Sequence, residues 1–510
     1  MFCLNKKMPD SDVSHFLNEV TDQISYQPLR PSIRQELESH IQDSMEEFKS
    51  QGLSPADAER QALRCMGDAV AIGTELNEAH KIQKSPLLTF FTALFLLTGF
   101  ILSGFLQWTP EQMTNGFLYY IPGGILLIFI VLKGYPLLIR YRKMLAIIIC
   151  LLYLAQIVIF ILTFYSGVRY GMASTTYFAT LLFAPVITVL LYCSRLNRKK
   201  FLTASLGGVV VWMFFMYSAC LFLGDTAEVI FLLSTFGTVC FMIHRGILPG
   251  RKKYLYPIAL AFLVFLGSPL FLTASGRGKM KDFLFPQSSV HSTWDDTYNG
   301  ILIQELLSRT PLTHGLELTP EEMMDYGTGA WYFASRDPQK IGIDARIQTP
   351  KQQQEFEEKV DALRDQGYLP RYINYRADDV TIWDILPQHY HNNYLIAVCI
   401  FLFGWIPGLM LIGALGLFYL LIISYTTGRI HGHLASALAF SCSQCLLWQG
   451  ILYILGNFGH QYASFPNLPL ISEGRISITC NMLLLGLIFS AYRYDHVIEE
   501  PVNYRPVIPG

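Results

Sequence analysis

Ten apolar runs, at 87–107, 116–132, 144–164, 177–192, 201–223, 227–244, 254–272, 394–425, 434–455 and 476–492, constrain this chain more than any other feature. Most are close to the roughly 20 residues a helix needs to cross about 30 Å of hydrocarbon. Backbone polar groups in hydrocarbon must be satisfied within the segment, so the expected class is an all-α, polytopic membrane protein. Composition agrees: of 510 residues 52% are hydrophobic and 15% charged, against roughly 25% charged for an average soluble domain. That balance excludes a soluble enzyme and a disordered chain. With 38 Lys and Arg against 39 Asp and Glu there is no basic excess for nucleic acid.

The charges fall in residues 1–84, in a block over 273–392, and in short knots between the apolar runs. Ten spans put both termini on one side. Lys133, Arg140, Arg142 and Lys143 lie in one short loop, Arg195 to Lys200 in the next but one, then Arg245 to Lys253, then Arg429. The intervening loops carry almost no Lys or Arg, so the positive-inside rule predicts cytoplasmic termini and an external 273–392 loop between spans seven and eight. Eight of the ten cysteines fall in or beside apolar runs, which indicates no disulfide framework. The polar first 80 residues lack the apolar core of a signal peptide.

Residues 1–84 read as a cytoplasmic helical unit. Ser32-x-x-Gln35 after Pro31 predicts a capping box, and Ile33, Leu37, Ile41, Met45 and Phe48 form one apolar stripe. Gly52 and Gly67 end helices, while Ser54 and Asp68 start them. In the external block, Ile301, Leu302, Leu306 and Leu307 predict an amphipathic helix along the membrane surface. A second such helix is expected at 355–366, with an aromatic loop around Trp331 between them.

Polar groups at membrane depth are candidates for function. Arg169 follows span three in Gly-Val-Arg-Tyr, and span nine carries Ser441, Ser443, Gln444 and Gln449. A proline-rich stretch, Pro466 to Arg475 with Glu473, predicts an irregular re-entrant turn. The stretch from Leu386 through His391, Asn392 and Asn393 to Val398 opens span eight. There the asparagines either face a substrate or cap the helix that follows.

Taken together, Gly-x-Arg-aromatic after span three, the external loop, His-Asn-Asn-Tyr-Leu-Ile-Ala-Val, Gln449 and Leu468-Pro-Leu-Ile-Ser-x-Gly474 resemble the SEDS family of FtsW, RodA and SpoVE. The likeness covers residues 85–495 and is most specific at 468–474, and Tyr298-Asn299, Gln304 and Leu312 to Gly315 resemble the family's external-loop pattern. Residues 34–43, with Arg34, Glu36, Leu37, His40, Ile41 and Asp43, then Gly52-x-Ser54 and Met66-Gly-Asp68, resemble a permease-prefix domain of the HAAS type. A short tail, 496–510, would follow in the cytoplasm.

The resemblance implies a bacterial cell-membrane protein of division or cell shape. It implies polymerisation of lipid II, or another polyprenyl-pyrophosphate-linked glycan precursor, beside a class B penicillin-binding protein. It implies no organic cofactor, and a divalent cation is compatible with a pyrophosphate leaving group. By family analogy Gln304, Gln449, Arg169, Glu473 and Arg475 would bind substrate. Where the family has His-Thr-Asp, with Asp as base, this chain has His391-Asn392-Asn393, so Asp384 or His391 would have to replace the base. The family's Pro-Ser-Glu is not recognisable around Thr180, and Arg475 stands where a second glycine is usual. The alternatives are an inactive homologue acting as scaffold or regulator of a cell-wall synthase, and a flippase or transporter. The last would need mid-membrane ionisable residues, of which the spans hold almost none.

Overall fold

The computed structural model describes residues 12–106, 110–164, 173–218, 226–288, 290, 296–333, 335–336, 354, 358, 368–369, 372–376, 381–387, 390–462, 466–471, 475–495 and 497. The 355–366 helix expected from sequence lies almost wholly outside them.

Four helices build the N-terminal unit: α1 (Asp12–Asp22), α2 (Arg30–Ser50), α3 (Pro55–Met66) and α4 (Ala69–Ala79). Leu17, Ile41 and Ala62 are its buried centre, with Leu37, Met45, Phe48 and Met66 packed against them. The Ser54 hydroxyl accepts from Asp57 N–H at 3.3 Å and the Asp68 carboxylate from Ala71 N–H at 2.9 Å, as the sequence signals require. Ser32 differs. A 3-10 turn at Gln27–Leu29 runs straight into α2, so Ser32 already lies in the first helical turn and its hydroxyl donates to the Leu29 carbonyl at 3.0 Å.

Beyond the linker come α5 (Pro86–Leu106), α6 (Pro110–Phe164), α7 (Ala173–Ser194), α8 (Arg198–Ser218), α9 (Ala227–His244) and α10 (Lys252–Leu272). After an intervening block follow α17 (Leu395–Phe403), α18 (Trp405–Ser424), α19 (His433–Asn457) and α20 (Arg475–Arg493). Among the described residues six helices are long and apolar enough to cross a membrane. Among the described residues the chain is thus an all-helical membrane protein apart from a short antiparallel pair, β1 (Tyr368–Leu369) and β2 (Tyr372–Arg376).

Helix α6 contains 55 residues and turns at Tyr141, whose φ of −107° and ψ of 15° leave helical geometry. At about 1.5 Å per residue a straight helix of that length would far exceed a bilayer. Gly123 packs near Ile478 and Tyr135 N–H donates to Ser490 Oγ at 3.0 Å, so the first half runs parallel to α20. Tyr153 then meets Glu228 in the first turn of α9, so the second half returns. The reversal falls inside the basic knot that the sequence places between spans two and three.

The 394–425 run is divided by Gly404, which adopts φ +90° between α17 and α18. Its freed backbone groups are taken up by a distant loop: Trp405 N–H donates to the Pro311 carbonyl at 3.1 Å and Ile406 N–H to Leu312 at 3.0 Å. Irregular backbone at membrane depth survives only with such partners. A Cβ at Gly404 would lie 2.8 Å from the Leu312 carbonyl oxygen.

The block before α17 packs over one end of the bundle. It contains α11 (Ala274–Leu284), α12 (Asp296–Arg309), α13 (Pro320–Thr328), α14 (Ala330–Phe333), α15 (Ile382–Ile385) and α16 (Tyr390–Asn393). Ile301, Leu302, Ile303, Leu306 and Leu307 are all buried, so α12 is a core helix rather than a surface one. Residues on more than one face are apolar, and packing against α17 and α19 covers them. Trp331, Tyr332 and Phe333 surround the buried Tyr298 ring, and Trp331 Nε1 donates to its hydroxyl at 3.0 Å.

Gly404→Ala is expected to destabilise the protein by about 1–3 kcal/mol through left-handed strain and the close carbonyl. Gly413→Ala, at a helical position with nothing within 4 Å of the new Cβ, should be neutral or stabilising. Thermal unfolding in one detergent compares the two. Equal melting temperatures would contradict the account of the break.

Candidate functional site

The site is organised by α19, on which Ser441, Cys445, Gln449, Tyr453 and Asn457 recur every four residues and are all buried. Each polar group finds a partner on another element or on α19 itself. Near one end the Thr188 and Ser441 hydroxyls lie 3.1 Å apart. Cys445 Sγ faces the Leu181 carbonyl at 3.9 Å. Gln449 Oε1 accepts from the Tyr177 hydroxyl at 3.3 Å, while its Nε2 donates to Asn481 Oδ1 and the Cys445 carbonyl, both at 3.2 Å. Gln449 therefore joins α7, α19 and α20, its amide fully engaged inside the protein.

Tyr453 and Asn457 hold the opening of α17. The Tyr453 hydroxyl donates to the Asn392 carbonyl at 2.8 Å and accepts from Leu395 N–H at 3.0 Å. Asn457 Oδ1 accepts from Ile396 N–H at 3.1 Å and Ala397 N–H at 3.0 Å, while Nδ2 donates to the Asn393 carbonyl at 3.1 Å. The first N–H groups of a helix have no intrahelical acceptor. Here another helix caps them, so neither Asn392 nor Asn393 supplies the cap of α17.

That arrangement frees Asn393. It ends the single turn of α16, is half-buried, and its carboxamide has no hydrogen-bond partner among the described residues. His391 lies in the same turn. Asp384 stands in α15, where its Oδ2 accepts from Thr381 N–H at 2.9 Å and Thr381 Oγ1 at 2.8 Å in a capping box. The Trp383 and Tyr390 rings, 5.4 Å apart, join the two short helices. Burial first, and then the Asp384 charge, push the Tyr390 hydroxyl above its ordinary pKa.

Gln304 on α12 donates from Nε2 to the Phe458 carbonyl at 3.0 Å, one residue past Asn457. The structure thus brings Gln304 and the Asn393 turn to the end of α19, while Asp384 is tied to that turn through the Trp383–Tyr390 contact and of His391 only the backbone is described. Gln449 lies about 12 Å deeper, two four-residue steps down the same helix. Arg169 and Glu473 lie outside the described residues, and of Arg475 only the backbone, which opens α20, is described. Before α20 the described stretch 466–471 is largely buried, with Leu468, Leu470 and Ile471 nearly inaccessible and Leu470 at φ +70°. It packs on α5, where a Cβ at Gly99 would lie 2.7 Å from the Leu470 carbonyl oxygen.

The sequence reading passed over Glu228. This carboxylate is buried in the first turn of α9 and accepts from the Tyr153 hydroxyl at 3.2 Å. Two residues earlier, Thr226 donates to the carbonyl of Tyr462, whose neighbour Gln461 accepts from the Tyr394 hydroxyl at 3.4 Å. Glu228 therefore belongs to the same end of the bundle as Asn393. A single acidic residue opening an apolar run was its only sequence signal. Among the described residues no group of three or more His, Cys, Asp or Glu side chains gathers to hold a metal ion.

The fold and site define a polytopic helical membrane protein with a polar constellation at one end of its bundle. No family model matches the chain, and no curated protein matches it. Among solved structures it is similar to a chain from "Structural coordination of polymerization and crosslinking by a peptidoglycan synthase complex", with 15% identity and a TM-score of 0.46 over 80% of this chain and 97% of that one.

Asn457→Ala removes the acceptor for two buried amides and the donor to Asn393, and each orphaned group costs about 1–3 kcal/mol. Hydrogen exchange of the Leu395 to Val398 amides should accelerate at least tenfold. Unchanged protection would contradict capping from α19.

Proposed function

We propose that this chain is a SEDS-like membrane protein of bacterial cell-wall synthesis, built to hold a lipid II-type precursor at the outer end of its bundle. The observation that carries the reading is the Asn393 turn, held by Tyr453 and Asn457 while its own carboxamide stays unengaged. A motif that resembles a catalytic one in sequence is thereby presented by the backbone as a site would be.

The helix directions support ten crossings, with the two halves of α6 counted separately and α17 and α18 together. Both termini are then cytoplasmic and the 273–392 block external. Residues 1–84 act as a permease-prefix domain, and a class B penicillin-binding protein is the expected partner.

In the reaction of this class the acceptor hydroxyl attacks the anomeric carbon of the donor. A new glycosidic C–O bond forms, the bond to pyrophosphate breaks, and polyprenyl pyrophosphate leaves. The hydroxyl proton passes to a base. Arg169 and Arg475 would stabilise the departing pyrophosphate, aided by a divalent cation if one binds there, and Gln304 and Glu473 would contact sugar or peptide. An amide cannot serve as the base, and loss of a general base typically forfeits about 10²- to 10⁴-fold in rate. Asn393 thus specifically favours a second reading, an inactive homologue that binds precursor and regulates a synthase.

Two experiments test this. With purified protein and lipid II, Asn393→Asp should create polymerisation or raise it by about 10²-fold or more. If wild type already polymerises and Asn393→Asp changes nothing, the base lies elsewhere, and Asp384→Ala, His391→Ala and Glu228→Gln identify it. For topology, Ser308→Cys should react with an impermeant maleimide on intact cells and Lys199→Cys only after permeabilisation. The reverse pattern would overturn the orientation.

A further inference from the structure

At the opposite end of the bundle from Asn393, a cavity of about 600 Å³ opens where the linker from the N-terminal unit enters α5. Its walls differ in kind. Lys84 and Arg493 bring two positive charges to the rim, with the Ser85 and Thr89 side chains beside them. Phe90, Val131 and Phe489 form the wall that continues into the apolar bundle, and Phe90 is 62% exposed.

Arg493 is placed unusually for a surface cation. Its Nε is buried and has no hydrogen-bond partner among the described residues, and the guanidinium lies 5.8 Å from the Tyr494 ring centroid. A buried guanidinium N–H without an acceptor is costly, and the planar fork of arginine matches phosphate oxygens. The nearest acidic residue in sequence, Asp495, is already taken: its carboxylate accepts from His431 N–H and Gly432 N–H at 2.7 Å each. The cavity therefore offers two cations, a hydroxyl-bearing wall and an apolar floor where the linker enters the first apolar helix.

We propose that this cavity binds an anionic glycerophospholipid from the leaflet on the side of the N-terminal unit. The phosphate sits between Lys84 and Arg493, and an acyl chain runs down past Phe90 and Phe489. A free phosphate would use only the cationic rim, whereas a phospholipid also covers the apolar wall. The occupant would touch the linker and α20 at once. Gln83 N–H already donates to the Arg493 carbonyl at 3.4 Å, and the Tyr26 and Tyr494 rings meet at 5.8 Å, so the lipid completes the joint that seats the N-terminal unit.

The full-length protein in nanodiscs tests this. Lipid retained through detergent extraction is measured by native mass spectrometry, and thermal stability is compared in phosphatidylcholine alone, phosphatidylcholine with phosphatidylglycerol, and phosphatidylcholine with added inorganic phosphate. Wild type should retain phosphatidylglycerol and melt higher only in the mixture that contains it. Lys84→Gln, at an exposed position that leaves packing intact, and Arg493→Gln should each weaken retention about tenfold, the loss of one charge-assisted contact. Lys199→Gln with Lys200→Gln, an equal or larger charge loss outside the cavity, should leave retention unchanged. Equal retention in Lys84→Gln and wild type, the same loss in the Lys199→Gln/Lys200→Gln control, or full stabilisation by inorganic phosphate alone would each overturn the proposal.

Discussion

A row of side-chain hydrogen bonds spaced four residues apart along α19 holds this protein in register. Apolar helices in lipid gain little from burying one another, because the surrounding tails are as apolar as their side chains. Register and neighbour choice therefore fall to polar pairs and close packing. Ser441, Gln449, Tyr453 and Asn457 supply such pairs to α7, α20 and the chain entering α17. A four-residue step advances about 40° around a helix beyond a full turn, so the row winds and meets a different neighbour at each level. The last two members meet a helix end rather than a helix side, and that is where the proposed site lies.

The same requirement explains the irregular backbone near the site. Gly404 interrupts a span, and carbonyls of Pro311 and Leu312 receive the N–H groups that follow it. Asn457 does for the start of α17 what a serine or aspartate does at an ordinary N-cap. The intervening block, far from being an appendage, is tied to the bundle through α12, Gln304 and the 311–316 segment. Because Tyr453 and Asn457 satisfy the local backbone, the Asn393 carboxamide is not spent on capping α17.

Much of the bundle was legible because hydrocarbon dictates length and apolarity together. The run boundaries near α7, α9, α10 and α19 fall close to the helices, and Ser54 and Asp68 cap as their positions imply. What sequence could not reveal depends on distant partners. The 394–425 run is continuously apolar, and its break rests on a loop some ninety residues earlier. Leu302 and Leu306 carry the same signal whether a helix floats on a membrane or lies beneath other helices, and the structure buries them. Asp384 was conspicuous as a carboxylate, yet its visible bonds are those of a capping residue. Glu228 was hidden by its apolar surroundings, and Gln449, singled out as a substrate contact, has its amide spent on joining helices.

The central proposal is that the end of α19 beside Asn393 binds a polyprenyl-linked glycan precursor, whether or not chemistry follows. Photocrosslinking of purified full-length protein with a diazirine-bearing lipid II analogue tests it most directly. The account predicts crosslinks to the peptides spanning 386–398 and 297–310, displaced by unlabelled lipid II. Crosslinks confined to other segments, or none that unlabelled lipid II displaces, would contradict it.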